Sequence, residues 1–457
     1  MSGRKEEFVP IHGNRVQMFV CGPTVYDYSH LGHARTYVAY DVIAKYLRYR
    51  GYSVFYIMNI TDLDDKIIRR ARELGKGPLE VARGFEVEFY RDMASLGVDA
   101  VNLYARATEH IDEMIEQIEG LLEKGYAYVT ETGVYYDVTK FPRYGRLSHQ
   151  NPEELVVHRI EVDPTKRNPG DFALWKRSKE GEPSWDSPFG PGRPGWHIED
   201  TAITLTYFGP QYDIHGGAIE LIFPHHEAEI AQAEAYTGVS PLVKYWVHTG
   251  ILYVNGEKMS KSLGNFITIR DSMKRYDKNT HRMFFVSTLY RSPMDYTDEA
   301  MREAKAKVDG IKNSYFALKS LRAGSGGREL LAALDRAREG FLKSMDDDFN
   351  TPKALSHLFG LTREINRYCS KHEEVEEGIR ERVLSTLEEF LSILGIEFGE
   401  RVDERLLEGL LRLLIELREG LRREKRYEEA DEIRRRLKEL GIILEDTSRG
   451  TVWKVEG

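Results

Sequence analysis

A chain of 457 residues, 41% hydrophobic and 30% charged, is long enough for three or more compact units of a globular enzyme. Its formal net charge of −9 excludes a coat of basic residues for indiscriminate nucleic-acid binding, although a local positive stripe remains compatible. Two cysteines, Cys21 and Cys369, exclude a disulfide framework, and the absence of a signal-like or ~18-residue apolar run predicts a cytoplasmic protein with no membrane contact.

In chain order, residues 17–21 read as a short buried strand, a Gly-Pro turn follows, and a helix begins near Ser29 and carries His30 and His33. Residues 36–50 keep a helical period, and 53–59 form a second strand. Strand, helix, strand at this spacing is a βαβ unit, which predicts a parallel sheet with a ligand crevice at its carboxyl ends. Helices are expected to run on to about Lys124. Residues 125–194 alternate short strand-like pieces with Pro- and Gly-rich turns, the pattern of an insertion, and 195–240 restores the sheet. Beyond Asp298 helical period dominates. The cluster Ala323-Gly324-Ser325-Gly326-Gly327 reads as a helix–helix connection, and the charged helical stretch 406–440 leads into a small terminal unit.

Two motifs carry the chemistry. His30-Leu31-Gly32-His33 sets two imidazoles on one helix face, where free N–H groups and the positive dipole end would meet a phosphate. Gly32 would let a flat base approach the backbone. Lys258-Met259-Ser260-Lys261-Ser262 sets two ammonium groups on a loop bounded by Asn255-Gly256 and Gly264-Asn265, able to close over a pyrophosphate. Together they describe a device for making an adenylate from ATP, by positioning and charge stabilisation.

With Cys21-Gly22-Pro23-Thr24-Val25-Tyr26-Asp27 before the first motif and Leu263-Gly264-Asn265 after the second, the chain resembles the class I aminoacyl-tRNA synthetases, and among them the cysteinyl-tRNA synthetases. The likeness extends through Asn59-Ile60-Thr61-Asp62, Gly195-Trp196-His197-Ile198-Glu199, Phe223-Pro224-His225-His226-Glu227 and the C-terminal segment. It implies a Rossmann-like α/β catalytic domain with parallel sheet (1–124 and 195–240), interrupted by a connective insertion (125–194). A stem-contact region with the lysine loop (241–305), an all-α anticodon-binding bundle (306–400) and a small C-terminal tRNA-contacting unit (401–457) would follow. The implied reaction converts L-cysteine and ATP, with Mg2+, to cysteinyl-adenylate, then transfers cysteine to the terminal ribose of tRNA(Cys). His30, His33, Lys258 and Lys261 are the expected catalytic groups, with Gly32 and Ser260 also at ATP. A monomer is expected.

His225 and Glu229, spaced i, i+4, point to one side of a helix. The family holds a zinc ion with two cysteines, a histidine and a glutamate, and the matching positions here are Cys21, Asp200, His225 and Glu229. Asp200 departs from the pattern, as do Ala218, Glu220 and Ala228 around it. Aspartate keeps the charge of a thiolate but is a harder donor, so the expectation is one zinc on one sulfur, one nitrogen and two oxygens. The alternative is a metal-free pocket in which Asp200 forms a hydrogen bond or ion pair. A soft thiolate–zinc bond would separate cysteine from serine, which a shaped pocket distinguishes by only ~1–3 kcal/mol.

Thr61, Trp196 and His215 match family positions that line the cysteine pocket. Arg422, Arg423, Lys425 and Arg426, with Asp446 and Trp453, match the part that meets the anticodon. The acidic run in Met345-Asp346-Asp347-Asp348-Phe349-Asn350 is expected to cap a helix. Family members commonly carry a short strand before a segment like Lys5-Glu6-Glu7-Phe8; either a sheet edge is uncovered or the true start lies upstream. Two rival readings are a mycothiol-pathway cysteine ligase, which the long basic C-terminal arm disfavours, and a non-catalytic tRNA-binding paralogue, which the intact motifs disfavour.

Overall fold

The computed structural model describes residues 2–149, 163–259, 264–398, 404–447 and 450–455. They fall into two compact units, 1–397 and 398–457.

The first unit is built on a five-stranded parallel sheet. Strand β1 (Arg15–Val20) leads through α1 (Leu31–Tyr49) to β2 (Ser53–Ile60). Helices α2 (Asp65–Leu74) and α3 (Pro78–Ser95) precede β3 (Leu103–Arg106), a strand where the sequence reading has continuous helix. Only four residues long and preceded by Val98-Asp99-Ala100-Val101-Asn102, it offers too short an apolar run to show strand period. Helix α4 (Ile111–Glu123) then enters a four-stranded antiparallel sheet of β4 (Ala127–Val129), β5 (Gly133–Tyr136), β6 (Phe172–Arg177) and β7 (Gly192–Pro194). Helix α5 (Ile198–Phe208), β8 (Tyr212–Ala218), α6 (Glu227–Thr237) and β9 (Val243–Thr249) return the chain to the main sheet. Its order is β3-β2-β1-β8-β9, so strand order reverses between β1 and β8, the switch point outside which such sheets bind ligands.

The inserted sheet shares one core with the flanking helices. Trp175, Tyr136 and Phe172 pack with Met114 and Ile118 of α4 and Ala231 of α6, and the Tyr136 hydroxyl donates to the Ala231 carbonyl at 3.0 Å. This packing fixes the entry to α5, where Trp196, His197, Glu199 and Asp200 stand.

Beyond the sheet, β10 (Leu252–Val254) and β11 (Glu257–Lys258) form a hairpin through Asn255 and Gly256, at φ 52° and 80°. Both φ values are positive, as a type I′ turn demands, and Asn-Gly accommodates them. β12 (Met294–Tyr296) pairs parallel to β10. Helices Lys278–Val286, Asp298–Lys319, Arg328–Asp346, Thr351–Cys369 and Glu377–Leu394 complete the unit. The glycine cluster does connect two of them, with Gly326 and Gly327 at φ 106° and 97°.

In the acidic run the cap is Asn350, whose Oδ1 accepts from the Lys353 N–H at 3.2 Å. The aspartates form ion pairs instead: Asp346 with Arg50, Asp347 with Lys5 and Asp348 with Arg291. The second unit is a pair of helices, Glu404–Arg423 and Tyr427–Glu439, with a hairpin of Ile442–Thr447 and Gly450–Val455. Its core is Leu411, Leu437 and Leu444, with Trp453 packed against it. Among the described residues no helix is long and apolar enough to cross a membrane.

Candidate functional site

His30 does not lie on a helix face; it is the N-cap of α1. Its Nδ1 accepts from the N–H of Gly32 at 3.1 Å and of His33 at 3.4 Å, while His33 Nδ1 accepts from the His30 N–H at 3.3 Å. The imidazoles thus form a reciprocal capping box and stack with centroids 3.8 Å apart. The Leu31 N–H donates to the Ile267 carbonyl and that of Ala34 to the His30 carbonyl. The helix-end donors that the sequence reading aims at a phosphate are therefore occupied within the protein. What the motif presents instead follows from the tautomer: each Nδ1 accepts, so each neutral ring carries its proton on Nε2. Burial and the neighbouring His30 keep the His33 pKa well below the usual imidazole value, so it acts as a neutral donor. Gly32 has a structural reason as well, since a Cβ there would stand 2.8 Å from the His30 ring.

The described part of the lysine motif, Lys258 and Met259, lies beside the first motif. Met259 Cε lies 3.6 Å from the point a Gly32 Cβ would occupy, and Thr268 bridges to His30. The Ile269 N–H donates to the Ser29 carbonyl at 2.9 Å. The segment that leaves the lysine loop is thereby stitched to the first motif. Lys258 Nζ pairs with Glu220, just beyond β8, and Asn265 Nδ2 donates to the Lys258 carbonyl. Ser260 and Lys261 lie outside the described residues.

At the switch point, Cys21 immediately follows β1 and Asp200 stands in the first turn of α5. His215 lies on β8, and His225 on a wide helical turn (Ile222–His226) that runs into α6, which carries Glu229 in its own first turn. Among the described residues these side chains converge. Cys21 Sγ lies 3.2 Å from Asp200 Oδ2, His225 Nε2 is 3.1 Å from that oxygen, and it is 3.2 Å from Glu229 Oε1. All four side chains are buried and form a group that can hold a metal ion.

The chemistry of the donor set fits a cation. Burial, then the Asp200 and Glu229 carboxylates, push the Cys21 thiol up; burial, then Asp200 and Glu199, push the Glu229 carboxyl up. Glu229 Oε1 accepts no hydrogen bond among the described residues. An ion that offsets their charge is what such a set lacks. The outer contacts suit ligands as well: Asn59 Nδ2 donates to Asp200 Oδ1 at 2.8 Å, and His225 Nδ1 lies 2.8 Å from His197 Nδ1.

Trp196 stacks on His225 with centroids 4.3 Å apart and remains 40% exposed, so it forms a wall open to the cleft. The Thr61 hydroxyl donates to Glu199, a group that the sequence reading leaves without a role. His215 comes within 3.4 Å of Cys21 Sγ. Two further histidines, not expected at the site, stand here: His226, 3.2 Å from the same sulfur, and His248, whose Nε2 lies 2.9 Å from His226 Nδ1. The adjacent His225-His226 pair was the available signal.

In the second unit, Asp446 is held by Arg418 and Arg422, and Arg426 pairs with Glu424 and Glu429. Arg423 and Lys425 are exposed.

A reversing parallel sheet, with a histidine-capped helix at its carboxyl end and Met259 beside that cap, is the frame of a class I tRNA synthetase catalytic domain. A family described as tRNA synthetases class I (C) catalytic domain matches residues 7–306, and the DALR domain matches 340–399. The cysteine–tRNA ligase of Thermococcus gammatolerans is 48% identical over 469 residues, 99% of this chain and 98% of that one. That of Moorella thermoacetica is 46% identical over 470 residues, with the same coverage. Among solved structures, Mycobacterium tuberculosis methionyl-tRNA synthetase in complex with methionyl-adenylate superposes with a TM-score of 0.60 at 17% identity. The match covers 83% of this chain and 89% of that one, a likeness of fold. The chain belongs to the cysteine–tRNA ligase family of class I aminoacyl-tRNA synthetases, enzymes whose substrates are an amino acid, ATP and tRNA.

Proposed function

We propose that this chain is a cytoplasmic, monomeric ligase that joins L-cysteine to tRNA(Cys), with His30, His33, Lys258 and Lys261 at the ATP phosphates. The observation that carries the reading is the meeting of three features at one sheet end: the capped imidazole pair, the lysine strand and the sulfur-bearing cluster around Cys21.

In the first step a cysteine carboxylate oxygen attacks the ATP α-phosphorus and the bond to pyrophosphate breaks. The Nε2–H groups of His30 and His33 donate to phosphate oxygens as charge gathers there, without carrying charge themselves. Lys258, released from Glu220, and Lys261 stabilise the departing pyrophosphate, alongside Mg2+ bound to the nucleotide. In the second step the terminal ribose hydroxyl of tRNA attacks the cysteinyl carbonyl and AMP leaves. Thr61, Trp196 and His215 shape the amino-acid pocket.

Cys21, Asp200, His225 and Glu229 would hold one zinc ion. When bound, zinc favours a thiolate over a hydroxyl, which separates cysteine from serine by bonding rather than by volume. The exposed Arg423 and Lys425 of the second unit, with Arg422 and Arg426, are assigned to the tRNA backbone, and Asp446 and Trp453 to the same contact region.

Cysteine-dependent charging of tRNA(Cys) tests the reading. Charging with cysteine and none with serine is expected, and Lys261→Ala should cut cysteine-dependent pyrophosphate exchange by about 100-fold or more with tRNA affinity unchanged. Adenylate formation without charging, or equal loss of exchange and tRNA affinity, would refute it.

A further inference from the structure

The side chains around Cys21 offer more donors than a single tetrahedral ion can use. We propose that they form two adjacent ligand sets for one divalent transition-metal ion, sharing Cys21 and Glu229, with His215 and His226 as the second pair. This inference rests on the reading of Cys21, Asp200, His225 and Glu229 as a metal centre.

In the second set, as in the first, the four donor atoms all lie within 4.8 Å of one another. Cys21 Sγ lies 3.4 Å from His215 Nε2 and 3.2 Å from His226 Nε2, and His215 Nε2 lies 3.4 Å from Glu229 Oε2. A tetrahedral ion with nitrogen or oxygen near 2.0–2.1 Å and sulfur near 2.3 Å sets its ligand atoms about 3.3–3.6 Å apart. Both sets approach that spacing before any ion draws them in. All of the side chains involved are buried.

Glu229 serves the two sets with different oxygens: Oε1 faces His225 at 3.2 Å, and Oε2 faces His215 at 3.4 Å. The three imidazoles behave alike. Each turns Nε2 toward the shared space and has its Nδ1 engaged, by Tyr212 OH at 2.6 Å for His215, His197 at 2.8 Å for His225 and His248 at 2.9 Å for His226. Rings oriented through their outer nitrogen are what metal-binding histidines show, and core packing alone gives no reason for three to share the arrangement.

The two sets exclude each other. Cys21, Asp200 and Glu229 supply three negative charges, too few for two buried dications that share one sulfur, so one ion is held at a time. The first set offers sulfur, one nitrogen and two oxygens; the second offers sulfur, two nitrogens and one oxygen. Imidazole suits zinc and its neighbours at least as well as a carboxylate does. The second set therefore retains the ion when Asp200 no longer holds it.

The experiment uses the full chain, purified without chelator and loaded with Zn2+ or Co2+. Metal analysis of the wild type should give one ion per chain. Asp200→Ala should also keep one ion, with affinity in chelator competition within about 10-fold of wild type, and so should His226→Ala. Asp200→Ala with His226→Ala should lose about 100-fold or more. X-ray absorption of cobalt-loaded Asp200→Ala should show two imidazoles around the metal, against one in the wild type. Circular dichroism checks each fold, and Asp200→Asn, which keeps the oxygen facing Asn59, replaces the alanine variant if that unfolds.

An Asp200→Ala protein as metal-poor as the double variant would overturn the second set while leaving the first intact. Two ions in the wild type would overturn mutual exclusion. A wild type that binds none would remove both this inference and the metal centre beneath it.

Discussion

Cys21 and Asp200 meet at the end of the parallel sheet, Sγ 3.2 Å from Oδ2, although 179 residues separate them in the chain. One directly follows β1 and the other stands in the first turn of α5, so the contact exists only because β8 and α5 return the chain to the switch point. Both are buried donors close enough for one cation to bind between them.

Metal removal should therefore cost stability. Protein stripped with a strong chelator is expected to melt several degrees below the loaded form and to recover on adding zinc. At a free zinc concentration 100 times Kd the gain is about 2.7 kcal/mol. Scanning calorimetry of stripped and reloaded protein checks this; identical transitions would mean that nothing binds there.

His30 has two duties that substitution can separate. As N-cap it holds the first turn of α1 through Nδ1, and its Nε2–H is the donor assigned above to the ATP phosphates. His30→Ala should cost about 0.5–2 kcal/mol of stability together with adenylate formation. His30→Asn supplies a good cap without the imidazole. Its stability should stay within a few tenths of a kcal/mol of wild type, while pyrophosphate exchange falls about 100-fold. If the asparagine variant keeps its activity, the ring is only a cap.

Buried neutral histidines set the response to acid. Burial holds His33 and His281 below the usual imidazole value and pushes His248 down to about 3. In His281, Nδ1 donates to the Asp277 carbonyl at 2.9 Å and Nε2 accepts from the Ser272 hydroxyl at 2.6 Å, so both nitrogens are used in the neutral form. With the folded pKa depressed, the unfolded chain binds more protons below about pH 6.5, and the free energy of unfolding rises with pH through that window. Stability should fall from pH 6.5 toward pH 5, each such histidine adding up to about 1.4 kcal/mol per pH unit. Urea unfolding at several pH values measures the slope. His281→Gln should lower it by one proton, and a flat profile between pH 7 and 5 would contradict the account.

Much of the catalytic unit was legible because its signals are local. Arg15–Val20 and Ser53–Ile60 are apolar runs bounded by turn residues, and the i, i+4 pair His225 and Glu229 does reach one side. What stayed hidden depends on contacts across the fold. No pattern around Arg35 announces that its guanidinium binds the carbonyls of Phe285, Leu289, Tyr290 and Ser292. Nor does one show that Arg282 joins Asp41 to the carbonyls of Leu96, Gly97 and Leu394, anchoring α1 beneath the cleft. The capping role of His30 was missed for another reason: histidine is not among the side chains from which a cap is ordinarily read.

Asp446 shows how a residue matched to tRNA contact can be committed within the protein. Arg418, its own side chain buried, donates to both carboxylate oxygens at 2.8 Å; Arg422 donates at 2.8 Å, and so does the Thr451 hydroxyl. These hydrogen bonds, that from Arg418 foremost, hold the Asp446 carboxyl well below the usual carboxylate range. They also tie the terminal hairpin to helix Glu404–Arg423. Asp446→Asn removes the charge opposite a buried guanidinium, and the small unit should lose about 1–3 kcal/mol, a figure reduced for the partial exposure of Asp446. Arg423→Ala, at an exposed position, should leave the hairpin intact and lower the salt dependence of tRNA binding by about one phosphate contact. Hydrogen exchange over residues 442–455, read beside tRNA binding at several salt concentrations, separates the two effects. Weakened binding by Asp446→Asn with hairpin protection unchanged would make Asp446 itself a contact to the RNA.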